Sequence, residues 1–105
     1  MKIKTENENM VDVFAIYYIG GQLNFYGMPK NYNGLLAYSS LYSEIIDPSV
    51  SENFMYFDKN NSTGILHSAL IEENLLEDLL ELDKIAYERF LEILKSQGEI
   101  EDNFY

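Results

Sequence analysis

The chain lacks cysteine and tryptophan, and it is poor in proline, histidine and positive charge. Its 105 residues include no Cys, no Trp, two Pro, one His and seven Lys or Arg. Without cysteine, disulfide scaffolds, thiolate catalysis, zinc ribbons and iron–sulfur sites are excluded. Because each phosphate contact needs a cation, seven bases against 18 acids argue against direct nucleic-acid binding.

Long apolar runs are also missing. No segment approaches the ~18 uninterrupted apolar residues that a membrane helix requires. The first ten residues, MKIKTENENM, turn acidic and polar where a secretory signal would be apolar. We therefore expect a cytoplasmic protein with no membrane partner.

The hydrophobic content is sufficient for one folded unit. The sequence is 47% hydrophobic, and this composition predicts a single domain over residues 1–105. Residues 1–9 and 99–105 have no hydrophobic period, so we expect both ends to be flexible.

The first half of the chain predicts short strands. Residues 11–19 are β-branched and aromatic, which is typical of a central strand. Gly20 and Gly21 suit a tight hairpin turn, and residues 22–26 would return antiparallel. Further strands are predicted at residues 35–39, 42–46 and 54–57. Residues 65–71 favour a final strand, although they also fit the opening turns of a helix.

A helical period follows over residues 72–96. Its apolar side chains fall within a sector of about 160°, and Gly98 is placed to end the helix. The sequence thus predicts an α+β fold: an antiparallel meander of four to five strands with a long C-terminal amphipathic helix, whole or broken, on one face. About 37 Å of helix would exceed strands of roughly 17–30 Å, so the helix must overhang, break or pack on a second copy.

Asp83 conflicts with a continuous helix, because it would lie within the apolar sector. Two explanations remain open. The helix breaks near Leu82 and Asp83 caps a second segment, which we favour. Alternatively, Asp83 is buried and takes a hydrogen bond from a tyrosine or from His67.

Chemical motifs are scarce. His67 is the only histidine and lies in an apolar segment, so we interpret it as a buried, hydrogen-bonded structural residue rather than a catalytic base. No glycine motif for phosphate binding is present. An enzyme using Asp83, Glu77 and His67 stays a third hypothesis. We predict no catalytic residue, cofactor or metal, because the remaining acids lack the spacing of a metal cage.

The acids are unevenly distributed. After residue 71, 11 acids face three bases, which leaves this third of the chain at −8 of the net −11. On a continuous helix, five glutamates would form one stripe opposite the apolar face: Glu73, Glu77, Glu81, Glu88 and Glu92. Like charges four residues apart disfavour a helix, so the stripe suggests a binding surface as well as a solvated face.

Tyrosine is abundant, with nine residues, and most of them fall in predicted strands. Tyrosine suits binding surfaces because it offers a large, rigid, amphipathic area at low entropic cost. Tyr17, Tyr26 and Tyr42 join the glutamates as predicted partner-binding residues, with β-propensity as the plain alternative.

These features predict a protein that binds another macromolecule. The favoured hypothesis is an acidic inhibitor or immunity-type protein for a basic protein partner such as a nuclease or toxin. The alternatives are a homodimeric small-molecule-binding or structural domain, and the carboxylate enzyme described above.

Overall fold

The computed structural model describes residues 1–59 and 62–104 and has an α+β fold. Seven strands precede three helices in the described part, where the sequence predicts four or five strands and one helix. The strands are β1 (Lys2–Lys4), β2 (Met10–Ile19), β3 (Gln22–Met28), β4 (Leu36–Ser39), β5 (Glu44–Asp47), β6 (Phe54–Lys59) and β7 (Ser62–His67). The helices are α1 (Ser68–Glu72), α2 (Leu76–Leu80) and α3 (Lys84–Ser96).

Strand β2 is the centre of the antiparallel sheet. It pairs with β3 along one edge, while β1 and β7 lie end to end along its other edge. Strand β5 pairs with β1, and β6 pairs with β7. The predicted meander is therefore incomplete, because the N-terminal strand is inserted between β2 and β5. Its Ile3 is fully buried, whereas the sequence suggests a flexible segment over residues 1–9.

The hairpin between β2 and β3 is confirmed. Gly20 and Gly21 have φ of 57° and 82°, which a two-residue turn of this kind requires. A bulge at Phe14 shifts the register within β2, so that Val13 pairs with Gly27 but Ala15 pairs with Tyr26. Phe14 and Ala15 consequently both face the helices.

The connection from β4 to β5 curves the sheet. These two edge strands lie four strand spacings apart in the pairing order, which is about 19 Å in a flat sheet. The link contains a 3-10 turn, Ser40–Tyr42, and spans only roughly 13 Å. The sheet must therefore curl. Its concave side, away from the helices, buries a small cluster of Ile3, Val11, Val13 and Phe25.

The prediction of one long helix over residues 72–96 is wrong, because two residues with left-handed backbone conformation interrupt it. Asn74 has φ of 57° and Leu82 has φ of 63°, and each follows the end of a five-residue helix. At Leu82, the amide of Asp83 donates to the carbonyl of Asp78, which completes a Schellman turn. Of the three helices in the described residues, α3 is the longest, and with 13 residues it is much shorter than predicted. The final predicted strand also ends early, at His67.

The helices pack on one face of the sheet, as predicted. Phe90 and Leu94 of α3 are fully buried, and Phe14 meets Phe90 edge to face with ring centroids 5.4 Å apart. Gly98, with φ of 71°, ends α3 as expected. Ile100 and Phe104 then pack against this core, although the sequence suggests flexibility over residues 99–105. Among the described residues, no helix has the length and apolar character needed to cross a membrane.

Candidate functional site

A groove of about 750 Å³ lies between the sheet and the first two helices. Strands β2, β3, β6 and β7 contribute to one wall, and α1, α2 and Asn74 from the link between them contribute to the other. Its lining includes Tyr17, Tyr26, Leu66, Leu70, Asn74 and Glu77. The volume falls within the range of ligand pockets, and apolar side chains with a few polar groups are typical of such sites.

Two tyrosines stack inside this groove. Tyr17 and Tyr26 lie on the same face of neighbouring strands, with ring centroids 4.6 Å apart and planes inclined by 26°. Burial, with a smaller contribution from the neighbouring Tyr26, raises the pKa of Tyr17 above its ordinary range. The Tyr17 hydroxyl therefore stays protonated and can donate a hydrogen bond.

Three acidic residues lie on or next to α2, one of the helices that line the groove. Glu77 and Asp78 lie in the first turn of α2, where the helix dipole favours acids, and Glu81 caps its C-terminus. All three are exposed, and none pairs with a cation among the described side chains. We call Glu77, Asp78 and Glu81 the α2 acidic surface. Of these, Glu77 also lines the groove.

The five glutamates of the predicted stripe do not form one surface, because the helix that would align them is interrupted twice. Arg89 binds Glu73 through Nε and Nη2, at 2.7 and 2.9 Å, and also binds Glu92. The hydrogen bond from Arg89 holds the pKa of Glu73 below its ordinary value. Glu88 Oε1 lies 3.9 Å from Lys84 Nζ. Three of the five are therefore paired with cations, whereas Glu77 and Glu81 belong to the α2 acidic surface.

Tyr42 is separate from the other two predicted tyrosines. It ends the 3-10 turn, is largely exposed, and lines a different cavity of about 380 Å³ between β4 and the β1–β2 loop. Thus the structure brings Tyr17, Tyr26 and Glu77 together and leaves Tyr42 elsewhere.

His67 is fully buried and tied to the C-terminal segment. Its Nδ1 accepts the amide hydrogen of Ala69 at 3.1 Å, so the proton of the neutral ring is on Nε2. Nε2 donates to Gln97 Oε1 at 2.8 Å and to Glu99 Oε2 at 2.7 Å. The same Glu99 oxygen accepts from Asn53 Nδ2 at 3.1 Å. This network joins the end of β7 to the turn after α3, where Gly98 places Glu99.

Asp83 is an N-cap and is exposed, so the expectation of a buried carboxylate is wrong. Its side chain accepts a hydrogen bond from the amide of Ala86 at 2.9 Å, at the start of α3. The favoured explanation, a break near Leu82 with Asp83 as cap, is what the structure has.

The residues proposed for a carboxylate enzyme are not assembled. Glu77 lines the groove, Asp83 caps α3 on the surface, and His67 is enclosed by its own hydrogen bonds and by aromatic rings. Within residues 1–59 and 62–104, no group of three potential ligands could hold a metal ion.

Sequence reasoning missed Asn74, Leu66 and Leu70 as groove residues, and Gln97 and Glu99 as partners of His67. Asn74 carries a local signal, because asparagine tolerates the left-handed conformation that ends α1. Glu99 lies 32 residues from His67, so no local pattern indicates the pair.

Comparisons of this chain with protein-family models, curated proteins and solved structures found no match.

Proposed function

We propose that this protein acts by binding a basic protein, as an inhibitor or immunity-type protein for a partner such as a nuclease or toxin. The observation that carries the proposal is the α2 acidic surface beside the groove. Its three carboxylates pair with no cation among the side chains that the structure describes, whereas Glu73, Glu88 and Glu92 are already paired. The proposed setting is the cytoplasm.

Charge and apolar area have different roles in this proposal. Clustered negative charge steers encounter with a basic cleft and discriminates against acidic partners. The stacked tyrosines and the apolar groove supply contacts that lose water on binding and so hold the complex. The two features adjoin at Glu77, which belongs to both.

The test compares two charge variants against the same partner. The tagged chain is used to capture a basic protein from its own host, and the purified pair is then measured by calorimetry at low and high salt. The first variant carries Glu77→Gln, Asp78→Asn and Glu81→Gln. The control carries Glu6→Gln, Glu44→Gln and Glu101→Gln, which are exposed acids away from α2 and change the net charge equally.

We expect the first variant to bind about tenfold more weakly or worse, and the control to change affinity by less than about threefold. Affinity should also fall as salt rises. Equal losses in both variants would mean that only net charge matters. Recovery of nothing but copies of the chain itself would overturn the proposal.

Self-association is the second candidate, favoured by the sheet face that carries no helix. Tyr18, Ile45 and Tyr56 lie on this face by their strand pairing and are 50%, 45% and 66% exposed. A homodimer would bury them. Light scattering across a hundredfold range of concentration decides the question, because a constant monomer mass removes this candidate.

A further inference from the structure

The groove next to the α2 acidic surface has the chemistry of a cation site with an apolar entrance. Its walls contain Leu66, Leu70, Ile71 and Phe57, and Ile19 at the end of β2 is half exposed beside it. Such a lining favours a ligand that brings a hydrocarbon stem rather than a bare ion, since a bare ion would lose its water without compensation.

The charged group in the lining is an acid. Glu77 contributes its carboxylate, and Asn74 and Ser62 contribute neutral polar groups. None of the lining side chains that the structure describes carries positive charge. Asp78 and Glu81 stand nearby on α2 and add to the negative potential. An anion is therefore repelled near α2 and a cation is attracted.

The tyrosine pair adds a flat aromatic surface. The Tyr17 and Tyr26 rings stack with their planes inclined by 26°, and both residues line the groove. A guanidinium group is planar, stacks on aromatic faces, and can bind a carboxylate through two hydrogen bonds. An ammonium group cannot match both features.

We propose that the groove binds an arginine side chain of the partner, with its three-methylene stem along the apolar wall and its guanidinium between the tyrosine pair and Glu77. This inference rests on the proposed function, because it names the residue that a basic partner would insert. The long stem of arginine covers apolar surface while its head stays near polar groups.

The test uses small probes, so that it does not depend on finding the partner. The ¹⁵N-labelled full chain is titrated with hexylguanidinium chloride, hexylammonium chloride and hexanol, and amide shifts are followed by NMR. We expect saturable shifts at Ile19, Ile71, Asn74 and Glu77. Hexylguanidinium should bind several-fold more tightly than hexylammonium, and both more tightly than hexanol.

Two variants separate the local carboxylate from the general field. Glu77→Gln should weaken hexylguanidinium binding by about fivefold or more. The control Glu72→Gln removes the same charge from the exposed end of α1, outside the groove lining and the α2 acidic surface, and it should change binding by less than about twofold. Tyr26→Leu keeps apolar volume but removes the ring, so it should abolish the preference for guanidinium over ammonium.

Several outcomes would overturn the inference: hexanol binding as tightly as hexylguanidinium, equal effects of Glu77→Gln and Glu72→Gln, or shifts outside the groove. Its failure is distinguishable from failure of the proposed function. A basic protein that still needs the α2 acidic surface while hexylguanidinium does not bind would leave the function standing. Binding of hexylguanidinium without any basic protein partner would leave only the groove assignment.

Discussion

Gly64 is the position at which the sheet is least able to accept a side chain. It lies in β7 opposite Tyr17 of β2. A Cβ added there would be 2.0 Å from the carbonyl oxygen of Ile16 and 2.6 Å from the Cα of Tyr17. A carbon and an oxygen in neighbouring strands approach to about 3.3 Å, so Gly64→Ala must move β7 away from β2 by about 1.3 Å.

The cost follows from the hydrogen bonds that this movement breaks. A shift of about 1.3 Å takes an N–H···O bond of ~2.9 Å outside the normal range, and two or three ladder bonds surround this pair. At about 1 kcal/mol each, with added strain from overpacking, Gly64→Ala should lower the free energy of unfolding by about 2–4 kcal/mol. That is a large part of the ~5–15 kcal/mol of a typical domain.

Urea unfolding followed by circular dichroism measures this cost. With a slope of about 1.5 kcal/mol/M, the midpoint should fall by about 1.3–2.7 M. Gly21→Ala is the matched control, because φ is 82° there but no atom lies within 4 Å of the added carbon. It should cost only about 1–2 kcal/mol of backbone strain. If Gly64→Ala is no less stable than Gly21→Ala, the argument from strand approach is refuted.

Three further predictions concern the caps and the buried polar groups. Asp83→Ala should lower the melting temperature by about 4–8 °C through loss of about 1 kcal/mol of capping, while Asp83→Ser keeps most of it. His67→Leu should cost about 2–4 kcal/mol in urea unfolding, and combining it with Glu99→Ala should cost less than the sum, because the two residues share one hydrogen bond. Burial raises the pKa of Tyr17 and Tyr87, so the neutral forms are favoured in the folded state and stability should fall as pH rises above about 10. Ultraviolet titration should therefore show tyrosines that ionise only with unfolding, and Tyr17→Phe should remove one of them.

Local signals in the sequence predicted local features. Gly20 and Gly21 indicated the hairpin because only glycine takes two successive positive φ angles easily, and Gly98 indicated the end of α3 for the same reason. Asp83 was an informative conflict, since an acid in an apolar sector pointed to a helix break.

Features that depend on distant residues were not predictable. The position of β1 depends on pairing with both β2 and β5, and nothing in residues 2–4 specifies either partner. Asp83 indicated the break near Leu82, but the left-handed conformation of Leu82 itself was not predictable, because leucine adopts it only when the surrounding structure imposes it. Both breaks change the positions of α1 and α2. Helix periodicity therefore could not predict the groove, or that Tyr17, Tyr26 and Glu77 lie together in it.

The bulge at Phe14 determines on which face of the sheet each later side chain of β2 lies. Strand side chains alternate between faces, so one extra residue exchanges the two sets of positions beyond it. Tyr17 enters the groove and Tyr18 faces away only because Phe14 is unpaired. A deletion of one residue here would exchange the faces of all the residues that follow it in β2, so that Tyr18 would turn to the helices and Tyr17 to the other side of the sheet. The number of residues in β2, as much as their identity, decides which tyrosine a ligand could meet.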